Sequence, residues 1–233
     1  MRLDIKSKDI KISINTFGAY IETFTKENEQ IFFPKVLSKI GDNLKPRGGM
    51  HPCLPNFGQD EISGLAQHGF ARDEYWDVLA SGEDYVDLKL EGIGDYQGVY
   101  FYINYRIVSN KLYTSLKVYN RSEKTVNLGP GFHPYFYCKD FDLEIENFPV
   151  DKQKIKDTLF LEGDMVKFKC NGKDFEMSGK NIGVFAIWTD FYGDYVCIEP
   201  TYKGKVFTND GKDIYKLERN EEFSQEFVIE LLW

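Results

Sequence analysis

Apolar and polar residues alternate one by one along most of the chain. The alternation runs through segments 10–15, 86–90, 99–107, 112–118, 141–146 and 223–231. Successive side chains of a β-strand point to opposite faces, so a period of two is typical of half-buried strands. Asn110 lies between two of these segments and is predicted to form a turn that joins them.

Helical periodicity is weak throughout. No segment has the apolar spacing of a twelve-residue amphipathic helix, and segments 34–40 and 62–67 are compatible with short helical turns at most. Many strands joined by Gly- and Asn-rich turns predict an all-β fold, either a sandwich or a barrel. We favour a large antiparallel β-sandwich because the strands are long and numerous. No Pro/Gly/Ser-rich linker interrupts the chain, so residues 1–233 are expected to form a single domain.

Composition excludes several classes of protein. Hydrophobic residues make up 42% of the chain and aromatic residues 16%, which argues against disorder. The net charge of −8 argues against nucleic-acid binding, because phosphate backbones require a basic surface. No run of apolar residues is long enough to span a membrane, and the charged first residues do not resemble a signal peptide. These features predict a cytoplasmic protein.

The three histidines lie in segments that interrupt the strand pattern. His51, His68 and His133 fall within segments 45–58, 65–76 and 128–136, which are rich in Pro, Gly and aromatic residues and are predicted to be shaped loops. Glu199 follows an apolar run and precedes Pro200, so it is expected at a strand end with little solvation. A single loop histidine is more often structural than functional. Three of them beside aromatic residues, together with a glutamate, favour general acid–base chemistry near neutral pH.

Other chemistries find less support. The chain has no glycine-rich nucleotide-binding motif and no Gly-x-Ser-x-Gly nucleophile motif. Cys53, Cys138, Cys170 and Cys197 are scattered and are expected to be reduced, buried thiols. Cys53 near His51 lacks an evident third group that would complete a thiol nucleophile. A site with three histidine ligands lacks the paired spacing of metal-binding motifs, so no metal is predicted.

Several motifs, in order along the chain, carry a family resemblance. They are Phe-Gly-Ala-Tyr-Ile at 17–21, Arg-Gly-Gly at 47–49, Pro-Asn-Phe-Gly at 55–58, Gln-His-Gly-Phe-Ala-Arg at 67–72 followed by Trp76, His-Pro-Tyr-Phe at 133–136 and Cys-Ile-Glu-Pro at 197–200. Together they resemble the aldose 1-epimerases, or galactose mutarotase-like proteins, including the hexose-6-phosphate 1-epimerase branch. The resemblance covers nearly the whole chain and implies a galactose mutarotase-like supersandwich.

The resemblance also implies an activity, the interconversion of the α and β anomers of an aldose. Glu199 would be the general base that takes the proton of the C1 hydroxyl, and His133 the general acid that protonates the ring oxygen. His68 would donate or accept a hydrogen bond near the reacting centre, and Arg47 would bind ring hydroxyls or a substituent. His133 and Glu199 are expected to reach opposite sides of one pyranose. The reaction exchanges only protons, so no cofactor is implied.

Two classes of substrate remain open, a neutral sugar and a sugar phosphate. An acidic chain repels a dianion unless positive charge is concentrated at the site. Arg47 and Arg72 in the candidate loops, with Lys203 and Lys205 after Glu199, would supply that charge. A protein that binds carbohydrate without turnover is a further alternative, which the presence of an acid–base pair disfavours.

Two features depart from the family pattern. His51 has no family role, and neither Asp190 nor Asp194 can be matched with the aspartate that helps to hold the sugar in galactose mutarotases.

Overall fold

Two large antiparallel β-sheets dominate the computed structural model, which describes residues 1–233. The strands are β1 (Arg2–Ser7), β2 (Ile10–Asn15), β3 (Tyr20–Lys26), β4 (Glu29–Gln30), β5 (Val36–Ile40), β6 (Asn43–Arg47), β7 (Met50–Cys53), β8 (Asp77–Ser81), β9 (Tyr85–Glu91), β10 (Val99–Val108), β11 (Lys111–Asn120), β12 (Val126–Leu128), β13 (Gly131–Tyr137), β14 (Leu143–Ile145), β15 (Leu159–Glu162), β16 (Met165–Cys170), β17 (Lys173–Lys180), β18 (Val184–Trp188), β19 (Tyr195–Thr201), β20 (Tyr215–Leu217) and β21 (Glu222–Leu231). Short 3-10 helices lie at Ala71–Asp73, Gly94–Tyr96, Lys139–Phe141 and Ile155–Asp157. None of the helices has the length and apolar character that crossing a bilayer requires.

The strand order defines two layers. The first sheet has nine strands in the order β1-β2-β3-β7-β13-β19-β18-β15, with β4 paired to β3. The second sheet has eight strands in the order β14-β16-β17-β21-β11-β10-β9-β8. Two small two-stranded sheets, β12–β20 and β5–β6, complete the architecture. The prediction of a large antiparallel β-sandwich is therefore confirmed.

The core lies between the two large sheets and comprises one cluster of 47 buried residues. Phe132 of the first sheet packs against Phe227 of the second, with ring centroids 5.1 Å apart. Tyr105 of the second sheet donates a 2.9 Å hydrogen bond to the carbonyl of Ala19, which lies next to the first sheet. Each buried aromatic or aliphatic side chain of this kind contributes about 1.5–3 kcal/mol by leaving water.

The alternating segments form strands as predicted. In β10, β11 and β21 every second residue is buried in the core, and residues 109–110 form the expected turn between β10 and β11. Segment 141–146 follows the prediction only over Leu143–Ile145, because Phe141 belongs to a 3-10 helix.

Neither of the two segments compatible with a helical turn forms one. Segment 34–40 contains β5, which pairs with β6 in a hairpin whose tight turn is made by Gly41 and Asp42. Segment 62–67 contains no helix, and the Asp60 carboxylate accepts hydrogen bonds from the backbone N–H groups of Ile62, Ser63 and Leu65 in a loop. A side chain that takes these donors offers the backbone an alternative to helical hydrogen bonds.

The predicted loops at 45–58 and 128–136 are also partly wrong. They contain β7 and β13, which are central strands of the first sheet and almost entirely buried on both faces. A strand buried on both faces loses the alternation of polar and apolar residues, so its period is invisible in the sequence. His51 and His133 consequently lie on strands, and Glu199 lies inside β19 and not at its end. His68 lies in a loop, as predicted.

Candidate functional site

Three of the singled-out residues form a row across adjacent strands. His51 on β7 is the register partner of His133 on β13. The register of β13 with β19 pairs Gly131 with Thr201 and Tyr135 with Cys197, which places His133 opposite Glu199. Register partners point to the same face of a sheet, so the antiparallel pairing of the three strands aligns two imidazoles and a carboxyl group.

This row lies on the face of the first sheet that points away from the core. The residues that flank it in sequence, such as Phe132, Val196 and Ile198, point the other way and belong to the core cluster. Loops cover the outward face and leave a cavity of about 680 Å³ above the row. Small-molecule sites are typically clefts of about 300–1,000 Å³, so the cavity is large enough for a sugar.

All five residues predicted for the site line this one cavity. They are His133, Glu199, His68, Arg47 and Arg72. His51 lines it as well, and so do aromatic and basic residues that the sequence analysis did not single out: Tyr20, Lys35, Trp188 and Lys156. Tyr20 belongs to the motif at 17–21, whereas no local pattern marks Lys35, Trp188 or Lys156.

The central pair is His133 and Glu199. The Nε2 atom of His133 lies 3.4 Å from Oε2 of Glu199, and both side chains are less than 10% exposed. Neither that carboxylate oxygen nor Nδ1 of His133 has a hydrogen-bond partner within the protein. The two groups lie side by side on neighbouring strands, so the expectation that they reach opposite sides of a pyranose is not met. They are arranged to act on atoms that are close to each other.

Burial sets the protonation of this pair. Loss of solvation raises the pKa of Glu199 well above its usual value, opposed by the positive charge of Lys205. Loss of solvation also lowers the pKa of His133 well below its usual value, and neighbouring His51 and His68 lower it further. Both shifts favour the uncharged forms. The pair therefore holds one proton near neutral pH, with the neutral arrangement favoured while the cavity is empty.

The two other histidines present different ring atoms to the cavity. The backbone N–H of Gly58 donates to Nδ1 of His68 over 3.3 Å, so the neutral ring carries its hydrogen on Nε2. Nδ1 of His51 lies 3.2 Å from the carbonyl oxygen of Pro52, which can only accept, so its hydrogen is on Nδ1. His68 thus offers a donor at Nε2, and His51 offers an acceptor there.

Aromatic rings surround the histidines. Tyr135 stacks on His133 with centroids 4.7 Å apart and ring planes 12° apart. Trp188 meets the same imidazole edge-on at 5.9 Å, and Phe57 contacts His68 at 5.3 Å. Such rings fix the orientation of the imidazoles and provide apolar faces next to polar groups.

The two arginines differ in their partners. Nε of Arg47 donates a 2.8 Å hydrogen bond to Asp190, which also accepts from the hydroxyl of Tyr195. Asp190 itself does not line the cavity, so it orients Arg47 and leaves that guanidinium largely neutralised. Arg72 lies 3.8 Å from Asp73 and donates a 2.8 Å hydrogen bond to the carbonyl of Gln67. Arg72 therefore keeps more of its charge for the cavity.

Only one of the two lysines expected near Glu199 lines the cavity. Lys205 lines the cavity, whereas Lys203 pairs with Asp213 at 3.2 Å and does not. Of the two, only Lys205 can add charge to the site.

All four cysteines are buried and free. Sγ of Cys53 lies 3.9 Å from Nδ1 of His51, but burial raises the pKa of the Cys53 thiol and makes it a poor nucleophile. The cysteine next to the acid–base pair is Cys197, whose sulfur lies within 4.8 Å of ligand atoms of His133 and Glu199. These three residues are the ones that could hold a metal ion.

Comparisons with known proteins agree with the fold. A galactose mutarotase related enzyme from Lactobacillus acidophilus has a TM-score of 0.80 at 18% identity, covering 100% of this chain and 98% of that one. A galactose mutarotase-like protein from Lactobacillus casei has a TM-score of 0.77 at 16% identity, with coverage of 99% and 100%. A GalM/aldose epimerase homologue from C. elegans has a TM-score of 0.72 at 13% identity, with coverage of 99% and 98%.

Sequence comparison points the same way. No curated protein matches the chain in a direct search. The family model described as aldose 1-epimerase, however, matches residues 1–192, which include all three histidines but not Glu199. Because that match covers most of the sequence, the chain belongs to the aldose 1-epimerase family.

Proposed function

We propose that this protein is an aldose 1-epimerase that interconverts the α and β anomers of a sugar by opening and reclosing the ring. The observation that carries the proposal is the contact between His133 and Glu199, 3.4 Å apart on the floor of the cavity. The ring oxygen and the C1 hydroxyl are both bonded to C1. An acid and a base that lie side by side therefore suit this reaction.

The proton count of the pair matches the chemistry. Glu199, as the carboxylate, takes the proton of the C1 hydroxyl while protonated His133 gives its proton to the ring oxygen. The bond between C1 and the ring oxygen breaks, a carbonyl forms at C1, and the pair is left with Glu199 protonated and His133 neutral. Burial favours the neutral arrangement in the empty cavity, so the proton must pass from Glu199 to His133 when the sugar binds, and ring opening then returns the pair to its neutral form. Reclosure on the other face of the carbonyl runs the transfers backwards.

The remaining lining residues support binding of a sugar. His68 and His51 offer a donor and an acceptor to hydroxyl groups, and Trp188 and Tyr20 offer apolar faces to the C–H bonds of the ring. Arg47, held by Asp190, presents a fixed guanidinium to a hydroxyl or substituent. No step of this mechanism requires a cofactor.

The test is turnover by a Glu199→Gln variant on freshly dissolved single-anomer sugars, followed by polarimetry or NMR. Loss of one positioned acid or base lowers kcat by about a hundred- to ten-thousand-fold. Glu176→Gln makes the same chemical change on β17 of the second sheet, away from the cavity, and should leave the rate unchanged. An unchanged rate in Glu199→Gln would exclude the base role. Sugar binding by the wild type without turnover would support a carbohydrate-binding protein.

The charge of the cavity favours an anionic sugar, a hexose 6-phosphate, as a second candidate substrate. Six basic residues line it against three acidic ones, in a chain whose net charge is −8. The basic residues are Lys35, Lys45, Arg47, Arg72, Lys156 and Lys205. Glu199 is one of the acidic residues, and burial favours its neutral form. This concentration of positive charge would offset the repulsion between the whole protein and a dianion.

Lys205 and Lys203 provide a matched test of the phosphate proposal. Lys205→Ala and Arg72→Ala should each lower kcat/KM for a hexose 6-phosphate at least about tenfold more than for the free hexose. Lys203→Ala, which removes a lysine outside the cavity, should treat both sugars alike. Inorganic phosphate should compete with the phosphorylated substrate only. Equal losses on both sugars in Lys205→Ala and Arg72→Ala would leave the neutral aldose as substrate.

A further inference from the structure

Three different metal-binding side chains meet at the floor of the cavity, where His133 and Glu199 line it and the buried Cys197 lies beside them. Ligand atoms of His133, Cys197 and Glu199 all lie within 4.8 Å of one another. Cys197 and Glu199 are two residues apart on β19 and so point to the same face, where His133 of β13 lies opposite Glu199. The sequence conceals this cluster because its members come from two strands far apart in the chain.

The cluster contains unsatisfied polar atoms. Oε2 of Glu199 and Nδ1 of His133 have no hydrogen-bond partner in the protein, and these residues are only 2% and 6% exposed. Buried polar atoms without partners are uncommon and call for a ligand or water. Substrate hydroxyls would satisfy them during turnover. A cation would satisfy the carboxylate oxygen in the absence of substrate.

The donor set selects the ion. Imidazole, thiolate and carboxylate are the ligands of zinc sites, with bonds of about 2.0–2.3 Å. Tetrahedral geometry with such bonds places the donor atoms about 3.3–3.8 Å apart. Nε2 of His133 and Oε2 of Glu199 are already 3.4 Å apart, so the largest separation in the cluster needs to shorten by only about 1 Å. The presence of a thiol disfavours Mg²⁺ and Ca²⁺, which prefer oxygen ligands.

We propose that His133, Cys197 and Glu199 bind a zinc ion, which leaves the fourth coordination position open to the cavity, and that zinc bound there inhibits the enzyme. The ion would displace the thiol proton of Cys197 and the proton held by the pair, release both to solvent, and take the lone pairs of His133 and Glu199. Proton transfer to and from the sugar would then stop. The inhibition rests on the proposed epimerase function, whereas the binding of the metal does not.

The binding is tested with Co²⁺ as a spectroscopic probe for zinc. One equivalent of Co²⁺ added to metal-free wild-type protein should produce the near-ultraviolet charge-transfer absorption of a cobalt–thiolate bond, and Zn²⁺ should abolish it. Cys197→Ala should lack the band. Cys53→Ala, which removes a buried thiol that lies beside His51, should retain it. No band in the wild type, or an undiminished band in Cys197→Ala, would overturn the proposal.

The inhibition is tested on the same variants. Zn²⁺ should inhibit wild-type turnover reversibly, with activity restored by a chelator. The concentration needed for half-inhibition should rise at least tenfold in Cys197→Ala, each variant being compared with its own metal-free rate. Because Cys197 is fully buried, Cys197→Ser serves as a second variant of similar volume if the alanine protein fails to fold. Equal inhibition of wild type and both variants would mean that zinc acts elsewhere. Absence of turnover in metal-free wild type would refute the proposed epimerase function. The proposal of metal binding would then be judged by the cobalt spectrum alone.

Discussion

At the scale of single residues, the proposed recognition of the sugar depends on two histidines that are kept neutral, His51 and His68. Burial lowers the pKa of His51, His68 and His133, and the charge of Arg72 lowers all three further. A neutral imidazole has one donor and one acceptor, and the backbone decides which atom faces the ligand. Gly58 makes His68 a donor and Pro52 makes His51 an acceptor. Two residues of one type thereby present a donor and an acceptor to the proposed sugar.

His51 provides a prediction at this scale. His51→Phe keeps a ring of similar size but removes the acceptor, so a sugar hydroxyl loses its partner in the cavity. A hydrogen bond of this kind contributes about 0.5–1.5 kcal/mol, and we expect kcat/KM to fall about three- to tenfold. His51→Gln retains an acceptor oxygen and should recover part of the loss. Steady-state kinetics on one sugar check both variants; full activity in His51→Phe would contradict the assigned contact.

At the scale of elements, the backbone conformation of a loop places His68 beside the strands that carry the other candidate residues. His68 and Gly69 both have positive φ, 66° and 71°, and Gly69 forms a bridge with Leu54. A Cβ atom at Gly69 would lie 1.8 Å from the carbonyl oxygen of Leu54. The approach of these two backbones places the imidazole of His68 under Gly58, where the Gly58 N–H reaches it. Only glycine permits both the angle and the distance.

Gly69→Ala and Gly64→Ala form a matched pair for this claim. Both glycines have positive φ, but a Cβ at Gly64 would meet nothing within 4 Å. Gly64→Ala should lower the unfolding free energy by about 1 kcal/mol, because alanine is strained at a positive φ. Gly69→Ala adds a backbone clash and should lower the unfolding free energy by a clearly larger amount, with loss of kcat/KM as His68 is displaced. Urea denaturation and kinetics measure both, and equal effects on stability would remove the packing argument.

At the scale of the whole molecule, burying ionisable groups in the sandwich makes stability depend on pH. Burial lowers the pKa of His68 from 6.5 to about 3. Below pH 6.5 the unfolded chain binds a proton at this residue that the folded chain does not, so stability is lost as pH falls towards 3. The contribution of Glu199 to the pH dependence of stability has the opposite sign. The pKa of Glu199 is raised, so stability is lost as pH rises from 4.5 towards its folded value.

The histidine contribution can be isolated by difference. His68→Asn removes the titrating group, and asparagine tolerates the positive φ of this position. Between pH 6.5 and 4.5 the stability of the variant relative to wild type should increase by up to about 1.4 kcal/mol for each unit by which the pH is lowered. Titrating groups that do not interact with His68 cancel in this comparison. Urea denaturation at pH 7.5, 6.5 and 5.5 provides the measurement, and parallel curves would show that His68 titrates normally in the folded protein.

The sequence alone determined the antiparallel two-sheet architecture and supplied most of the residues that meet at the candidate site. Strands with one face in the core and one in solvent alternate, as β10, β11 and β21 do, and this pattern is sufficient to predict antiparallel sheets. The candidate residues His133 and Glu199 stood out by residue type and by motif. Both signals are local: side-chain polarity and short spacing are read within a few neighbours.

Only the tertiary structure decided what depends on pairing between distant segments. The strands β7 and β13 are buried on both faces, so polar and apolar residues do not alternate along them and the sequence predicts a loop there. The register that aligns His51, His133 and Glu199 joins segments about 70–80 residues apart, and no local pattern specifies it. The same register places Cys197 beside the acid–base pair and sets that pair side by side. The sequence supplied the chemical groups, and long-range strand pairing decided their geometry.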